Sequence, residues 1–450
     1  MYRYLMAVFI ILTVSHISAR PVSLEEAQKA ALEKSYGYAI AEENTVYSGL
    51  SVKSAFSNFL PAASLSASYM LYTPEVEMSS FKFTPPSTMT PVTMTQKDRT
   101  AFGLRVTQPL FTGGRIWYGY QISKDSEKMS TNTLNSEMKK LMAETEAQYL
   151  SVLEAEEMYK IAKESLELSK RTEESAKIRF DSGLLSRADV LKSSSLRANS
   201  EVSLSGAEKL LALSRINFTR ITGIKDFTLE PADYESSRDL LETIGALKYS
   251  DLNEKSEILI KKAEENNSDL LNLKLSEKIS EKQLSVSKGS FLPSVSLSYT
   301  TEWAKTNVTD EFKNNGNIML SASVPVLPLY DNYIGIEKSR VELKRSKLAY
   351  KQIRENVTTL ISTHLFNMVS GAKQFNSAKI AVELAEETYY SLEERYNSGL
   401  STEDELNNAR ISLDQARYNR TAVFYSILKS RSELVKITGI DAEIINGIFE

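Results

Sequence analysis

The 450-residue chain contains no cysteine. Disulfides, thiolate metal sites, cysteine nucleophiles and an N-terminal lipid carried on cysteine are therefore excluded. Glycine and proline are scarce, at 17 and 11 residues. So little punctuation implies long uninterrupted elements rather than the loop-rich chain of a globular enzyme. There is no surplus of one charge: 54 basic and 58 acidic side chains leave a formal net charge of -4, so nothing drives sequence-independent binding to nucleic acid. With 25% charged residues the chain is also too polar for a polytopic helical membrane protein. Beyond the first 19 residues no apolar run approaches the roughly 20 residues of a spanning helix. The sole histidine after that point, His364, lies mid-helix with no second histidine near it in sequence. No catalytic constellation, metal or cofactor is expected.

What is present begins with Arg3, an apolar run from Leu5 to Val14, and Ile17-Ser18-Ala19. This is the pattern of a secretory signal peptide over 1–19, cut after Ala19. A membrane anchor is the competing reading, but the run is short for one. Removing Arg3 moves the formal charge from -4 to -5.

The rest of the chain is duplicated. Residues 179–224 align without a gap to 395–440, pairing Arg179 with Arg395, Phe180 with Tyr396, Gly183 with Gly399 and Ile221-Thr222-Gly223-Ile224 with Ile437-Thr438-Gly439-Ile440. Upstream, Phe59-Leu60-Pro61 answers Phe291-Leu292-Pro293, and Pro109 answers Pro325. A repeat this long is a duplicated half, not a solenoid. The expected organisation is a first repeat over 20–224, a linker over 225–254, a second repeat over 255–440 and a tail over 441–450. Each half reads as a helix (23–58; 255–290), two strands (62–73 and 99–108; 294–303 and 317–324) and two helices joined by a tight turn (114–181 and 185–222; 332–397 and 401–438).

Strict alternation carries the strand assignments. Leu65, Ala67 and Tyr69 oppose Ser64, Ser66 and Ser68; Phe102, Leu104 and Val106 oppose Arg99, Arg105 and Thr107. Val295, Leu297, Tyr299 and Trp303 oppose a serine-rich set, as do Ile318, Leu320 and Ala322. A soluble sandwich and a membrane barrel both fit one oily and one wet face. Aromatics at the strand ends (Phe59, Phe111, Trp117, Tyr118, Phe291, Tyr330, Tyr333) suit a barrel girdle. The segment from Arg115 to Phe180 has no proline and one glycine, and as a helix it would reach roughly 100 Å. In the last helix Leu406, Ala409, Leu413, Ala416, Arg420, Val423 and Ile427 recur at spacings of three and four, a coiled-coil seam.

Four strands cannot close a barrel, and hydrocarbon does not tolerate open strand edges. The strands must then be shared between copies. Two copies make a filled eight-stranded barrel and three a twelve-stranded one with a lumen; the serine-rich faces favour three. Helices of this length would continue such a barrel as a periplasmic tube.

The signal peptide, the duplicated half, the Phe-Leu-Pro element, Gln108-Pro109-Leu110-Phe111-Thr112-Gly113-Gly114-Arg115 and the turn signatures Phe180-Asp181-Ser182-Gly183-Leu184 and Tyr396-Asn397-Ser398-Gly399-Leu400 together resemble the TolC-like outer membrane efflux proteins. The resemblance spans essentially the whole mature chain. It implies a mainly α protomer with four transmembrane strands, a homotrimer with a shared twelve-stranded barrel in outer-membrane lipid, and a coiled-coil tunnel reaching into the periplasm. The implied partners are a periplasmic adaptor and an inner-membrane pump of the RND, ABC or MFS type. Many members carry a lipidated N-terminal cysteine, which this chain lacks.

By the same resemblance, the periplasmic gate and constriction fall on Asp189, Tyr396 and Glu405, and the adaptor-docking tips on Gly183, Leu184, Gly399 and Leu400. The gate arginine's position holds Ser401 and the second constriction acid's holds Asn408; Arg187 is the candidate replacement cation. Simpler readings stand beside each. Ser186 with Asp189 and Thr402 with Glu405 are spaced as capping boxes, Tyr396 fits the heptad seam, and each Gly-Leu pair suits an ordinary helix-ending turn. Gly113-Gly114 reads as a structural turn, and the loop 74–97 as a mobile, variable extracellular loop. The functional expectation is a passive export duct, with small-molecule efflux and one-step protein secretion both fitting the same tube. The alternative from another class is a soluble periplasmic coiled-coil scaffold or adaptor.

Overall fold

The structure, a computed structural model, describes residues 21–70, 77–79, 91–93, 99–231, 238–306, 309–327 and 329–449. The expected signal segment 1–19 and most of the loop 74–97 lie outside the described residues. In the first half the elements are α1 (Leu24–Lys34), α2 (Tyr36–Ser57), β1 (Ala62–Tyr69), β2 (Glu77–Ser79), β3 (Pro91–Thr93), β4 (Thr100–Thr112), α3 (Arg115–Asp181) and α4 (Arg187–Thr222). The second half comprises α5 (Arg238–Ala246), α6 (Leu252–Asn266), α7 (Ser268–Gly289), β5 (Ser294–Thr306), β6 (Thr309–Ser323), α8 (Leu329–Asn397), α9 (Glu403–Thr438) and α10 (Ala442–Phe449). Two compact units form, and each draws on both sequence halves: one holds Ala41–Leu134 and Asp269–Ile353, the other the segment ending at Ile40, Asn135–Ser268 and the chain from Arg354 onward.

The single helices expected at 23–58 and 255–290 are each broken in two. Ser35 leaves the helical conformation and its hydroxyl accepts from Tyr38 N at 3.2 Å, which starts α2. Asn267 does the equivalent between α6 and α7, with its backbone N–H donating to Ala263 O and its side-chain amide to Ile437 O at 2.8 Å. The break tightens the duplication, because each α-helix before it tends the end of a later one. Lys34 Nζ donates to the last-turn carbonyls Thr219 O and Arg220 O of α4 at 3.0 and 2.8 Å, and the Asn267 amide serves a last-turn carbonyl of α9 in the same way.

In the first unit β1, β4, β5 and β6 form an antiparallel sheet in that order. Register places the four alternating patterns on one face. Ala63, Val106, Tyr299 and Ile318 form one cross-strand row and Ala67, Phe102, Trp303 and Asn314 another, while Ser64, Arg105, Thr300 and Asn317 line up on the reverse side. The wet face also carries an ion pair between Arg99 and Glu302. Strands β4, β5 and β6 have 13, 13 and 15 residues, longer than the 99–108, 294–303 and 317–324 expected. The added stretch Thr309–Gly316 has one apolar side chain, Phe312, which meets Phe102, so no alternation reveals it; pairing with β5 makes it a strand. Such lengths exceed the roughly 9 to 11 residues a tilted membrane strand needs. Within the loop 74–97, β2 and β3 pair as a two-stranded sheet.

At the sheet's helical end Phe56, Phe59 and Tyr120 pack with centroids about 6 Å apart, Phe59 and Tyr120 edge to face and the other two pairs tilted. Phe111, Trp117, Tyr330 and Tyr333 there are exposed. The residues Gly113 and Gly114 turn β4 into α3 with φ of +64° and +81°, the structural role expected for them.

The second unit is built on long helices. Proline-free runs rich in Glu, Lys, Ala and Leu make α3 67 and α8 69 residues long, roughly 100 Å each at 1.5 Å per residue. Their cores are apolar seams, with Ile361, Leu365, Met368 and Val369 of α8 fully buried. The start of the segment 225–254 is packed: Phe227 meets Phe218 with centroids 4.6 Å apart, and Tyr149 Oη donates to Val22 O and Glu230 O at 3.0 Å. The tail forms α10, which buries Ile445 and Phe449.

Candidate functional site

The ends of α3 and α8 are the same motif twice. Gly183 and Gly399 adopt φ of +75° and +77°, with nothing crowding the space a Cβ would fill; the left-handed backbone alone calls for glycine. Gly183 N donates to Phe180 O and Leu184 N to Arg179 O, both at 2.8 Å, and Gly399 and Leu400 repeat the pair on Tyr396 O and Arg395 O at 3.1 and 2.7 Å. These are the two closing bonds of a Schellman turn. The leucine that usually plugs such a turn against the helix does not do so in either hairpin. Leu184 is 75% and Leu400 70% exposed.

The next helices start with complete capping boxes. Asp189 N donates to Ser186 Oγ at 3.3 Å and Ser186 N returns to Asp189 Oδ2 at 3.0 Å. Glu405 N donates to Thr402 Oγ1 at 3.2 Å and Thr402 N to Glu405 Oε2 at 2.8 Å. Bonds from Ser186 hold the Asp189 carboxyl below its ordinary value, and those from Thr402 do the same for Glu405. Both acids therefore stay ionised at neutral pH and lie at the surface, so a capping role and a charged, accessible carboxylate coexist.

Tyr396 occupies the heptad position expected for it. It is buried with Tyr389, Leu406, Ala409 and Leu413 in the seam between α8 and α9. The Arg179 guanidinium stacks 4.1 Å from its ring centroid and donates to its carbonyl at 2.9 Å. The hydroxyl is buried without a hydrogen bond of good geometry, Ser175 being a weak influence, and burial foremost raises its pKa. Arg187 is exposed at the start of α4. The cation brought to Tyr396 is Arg179.

Several side chains that the sequence analysis passed over join the two hairpins. On α9 the residues Glu403, Asn407, Arg410, Asp414, Arg417, Thr421, Phe424 and Leu428 recur at spacings of four and three, a second seam beside the one through Leu406. It faces α3 and α4. Ser193 of α4 donates to Glu403, Ser165 of α3 donates to Asp414 Oδ2 at 2.5 Å, and Arg410 donates to Ser169, whose hydroxyl also meets Ser200 at 2.7 Å. Arg417 reaches Glu164 and Glu386, and Lys192 pairs with Asp404. Burial pushes the Arg410 guanidinium down and the Asp414 carboxyl up, while each favours the other's charged form. The first half of this seam is polar, so a search for apolar heptads misses it. Its spacing is as regular as the apolar seam's, and that regularity was the available signal.

Among the described residues no cluster of histidine and carboxylates is placed to hold a metal ion, and no helix is long and apolar enough to cross a membrane. His364 is half-buried, with burial lowering its pKa. An amphipathic open sheet combined with paired long hairpins is the protomer architecture of an outer-membrane channel.

The chain belongs to the outer membrane efflux protein family, whose family model matches residues 49–224 and 259–440. Those two segments fall one in each half of the duplication. The fold is similar to three solved outer-membrane proteins. VceC of Vibrio cholerae is 14% identical, with 92% of this chain and 96% of that one covered at a TM-score of 0.75. The Campylobacter jejuni outer membrane channel CmeC is 15% identical, covering 95% and 89% at 0.74. The open state of the Neisseria gonorrhoeae channel MtrE is 15% identical, covering 92% and 88% at 0.71. No curated relative matches the chain in sequence. The protein is thus an outer-membrane protein of a channel family, and the alternative of a soluble periplasmic scaffold does not survive.

Proposed function

We propose that three copies of this chain form one passive duct, with a shared twelve-stranded barrel in the outer membrane and the hairpins lining a periplasmic tunnel. The observation that carries this reading is the open sheet. Among the described residues its edge strands β1 and β6 each pair on one side only, and its oily face leaves Leu65, Ile318 and Leu320 exposed. Unpaired edges in hydrocarbon are too costly to persist, so β1 of one copy must meet β6 of the next. Serine, asparagine and arginine on the opposite face then line a wet lumen, which suits three copies better than two. The mass of the native particle extracted in detergent from separated outer membranes tests it. Three protomers are expected; a monomer or dimer would end the shared-barrel reading.

At the periplasmic end, Asp189 and Glu405 would each appear three times around the axis and make a cation-attracting constriction, with Tyr396 and Arg179 locking the hairpins behind it and Arg187 adding positive charge at the rim. The exposed Gly183-Leu184 and Gly399-Leu400 tips would receive a periplasmic adaptor, which couples the duct to an inner-membrane pump. Small-molecule efflux is the favoured cargo class, in keeping with the family; protein secretion would use the same tube. Glu405→Gln separates charge from capping, because glutamine also completes a capping box. Single channels of Glu405→Gln are expected to show a reversal potential shifted towards the non-selective value with unchanged assembly. Unaltered cation preference would remove Glu405 from the constriction.

A further inference from the structure

The contact between the hairpins holds a buried acid that neither the capping boxes nor the constriction uses. Glu403 is the first residue of α9, yet it is only 6% exposed. Its side chain meets α4, where Ser193 donates to Oε1. Its Oε2 and Asn407 Nδ2, one turn further along α9, are both buried without a hydrogen bond of good geometry; the nearby Asn407 amide favours the charged carboxyl less than burial and Asp189 oppose it. The charged and titratable groups facing it are Asp189 and Lys192 from α4, Asp404 on α9, and Tyr396 from α8 with Arg179 of α3 stacked upon it. Lys192 is already paired with Asp404, so the carboxylate has no dedicated cation. An ionised group with one oxygen buried and poorly bonded opposes the contact that encloses it.

We propose that Glu403 is a proton-sensitive latch between the two hairpins: neutral, it lets α9 rest on α4, and ionised, it favours their separation and so the opening of the duct. The proposal rests on the channel reading above. The direction follows from linkage. Burial first, and the neighbouring Asp189 second, push the Glu403 carboxyl above its ordinary 4.5. The packed contact is therefore fully favoured below that value and weakens as pH rises from 4.5 to the raised pKa. Within the window the packed-to-separated ratio of each protomer falls by at most about tenfold per pH unit. Above it the ratio is constant.

The test is the resting conductance of the full-length channel in planar bilayers, recorded from about pH 4 to about pH 8 to bracket the window. Wild-type conductance is expected to rise with pH, whereas Glu403→Gln stays low and flat. Should Glu403→Gln not assemble, Asp189→Asn keeps the buried acid, preserves a side chain suited to capping and removes the like charge; its conductance midpoint is expected at lower pH than wild type. A Glu403→Gln channel with the wild-type pH profile, an unshifted Asp189→Asn midpoint, or a wild-type channel indifferent to pH would each overturn the latch and leave the duct reading intact. Failure of the wild-type protein to form any channel would overturn both.

Discussion

Ile318→Arg is expected to destabilise the barrel by about 2 to 4 kcal/mol per protomer and to leave little assembled protein in the outer membrane, while Asn317→Arg changes almost nothing. The two residues are adjacent in β6 and point to opposite faces. Ile318 shares its row with Val106 and Tyr299 through consecutive strand pairs, and 74% of its surface is exposed in the single protomer. An arginine there faces hydrocarbon near the middle of the strand, too far from either end to reach water cheaply. Asn317 shares its row with Thr300, Arg105 and Ser64, where an arginine already stands. The fraction of detergent-resistant trimer in outer-membrane extracts measures both variants. Equal behaviour would mean that the oily face is not the lipid face.

The second large effect concerns the place where β4 turns into α3 beside the end of α7. A Cβ on Gly113 would overlap the Gly289 carbonyl oxygen, and one on Gly289 would overlap that of Gly113. Backbone cannot swing aside as a long side chain does. Gly289→Ala is expected to cost about 2 to 3 kcal/mol through the forced backbone shift. Gly113→Ala is expected to cost about 1 to 2 kcal/mol more, because its φ of +64° is left-handed. Gly119→Ala and Gly206→Ala are the controls: both lie in helices with nothing near the new Cβ and are expected to gain about 0.5 to 1 kcal/mol. Urea unfolding in detergent micelles orders the four variants. If Gly289→Ala proved as stable as Gly119→Ala, the close approach of the two backbones would be wrong.

Asp189, Glu405 and Tyr396 show how much a spacing reveals about local structure. Ser186 with Asp189 and Thr402 with Glu405 have capping-box spacing, and the boxes form. That satisfies the backbone and leaves each carboxylate charged at the surface, so capping does not compete with a constriction role. Tyr396 is different. Its heptad position is legible, but its burial under Arg179 arises from a residue 217 positions away, and no local pattern announces it.

What the amino-acid order determined alone depends on short-range geometry. Period-two alternation made the four strands, spacings of three and four made the hairpins, left-handed glycines ended α3 and α8, and the duplication tied one half to the other. Each follows from backbone geometry within a few residues. Tertiary structure decided the rest. The mostly polar start of β6 is a strand only because β5 lies beside it, and the four oily alternations share one face only because of register. The polar seam of α9 gains meaning from Ser165, Ser169 and Ser193 on other helices. A carboxyl such as Glu403 is unusual through burial and neighbours alone, and both are properties of the packed chain, since the free energy of a charge depends on what replaces its water.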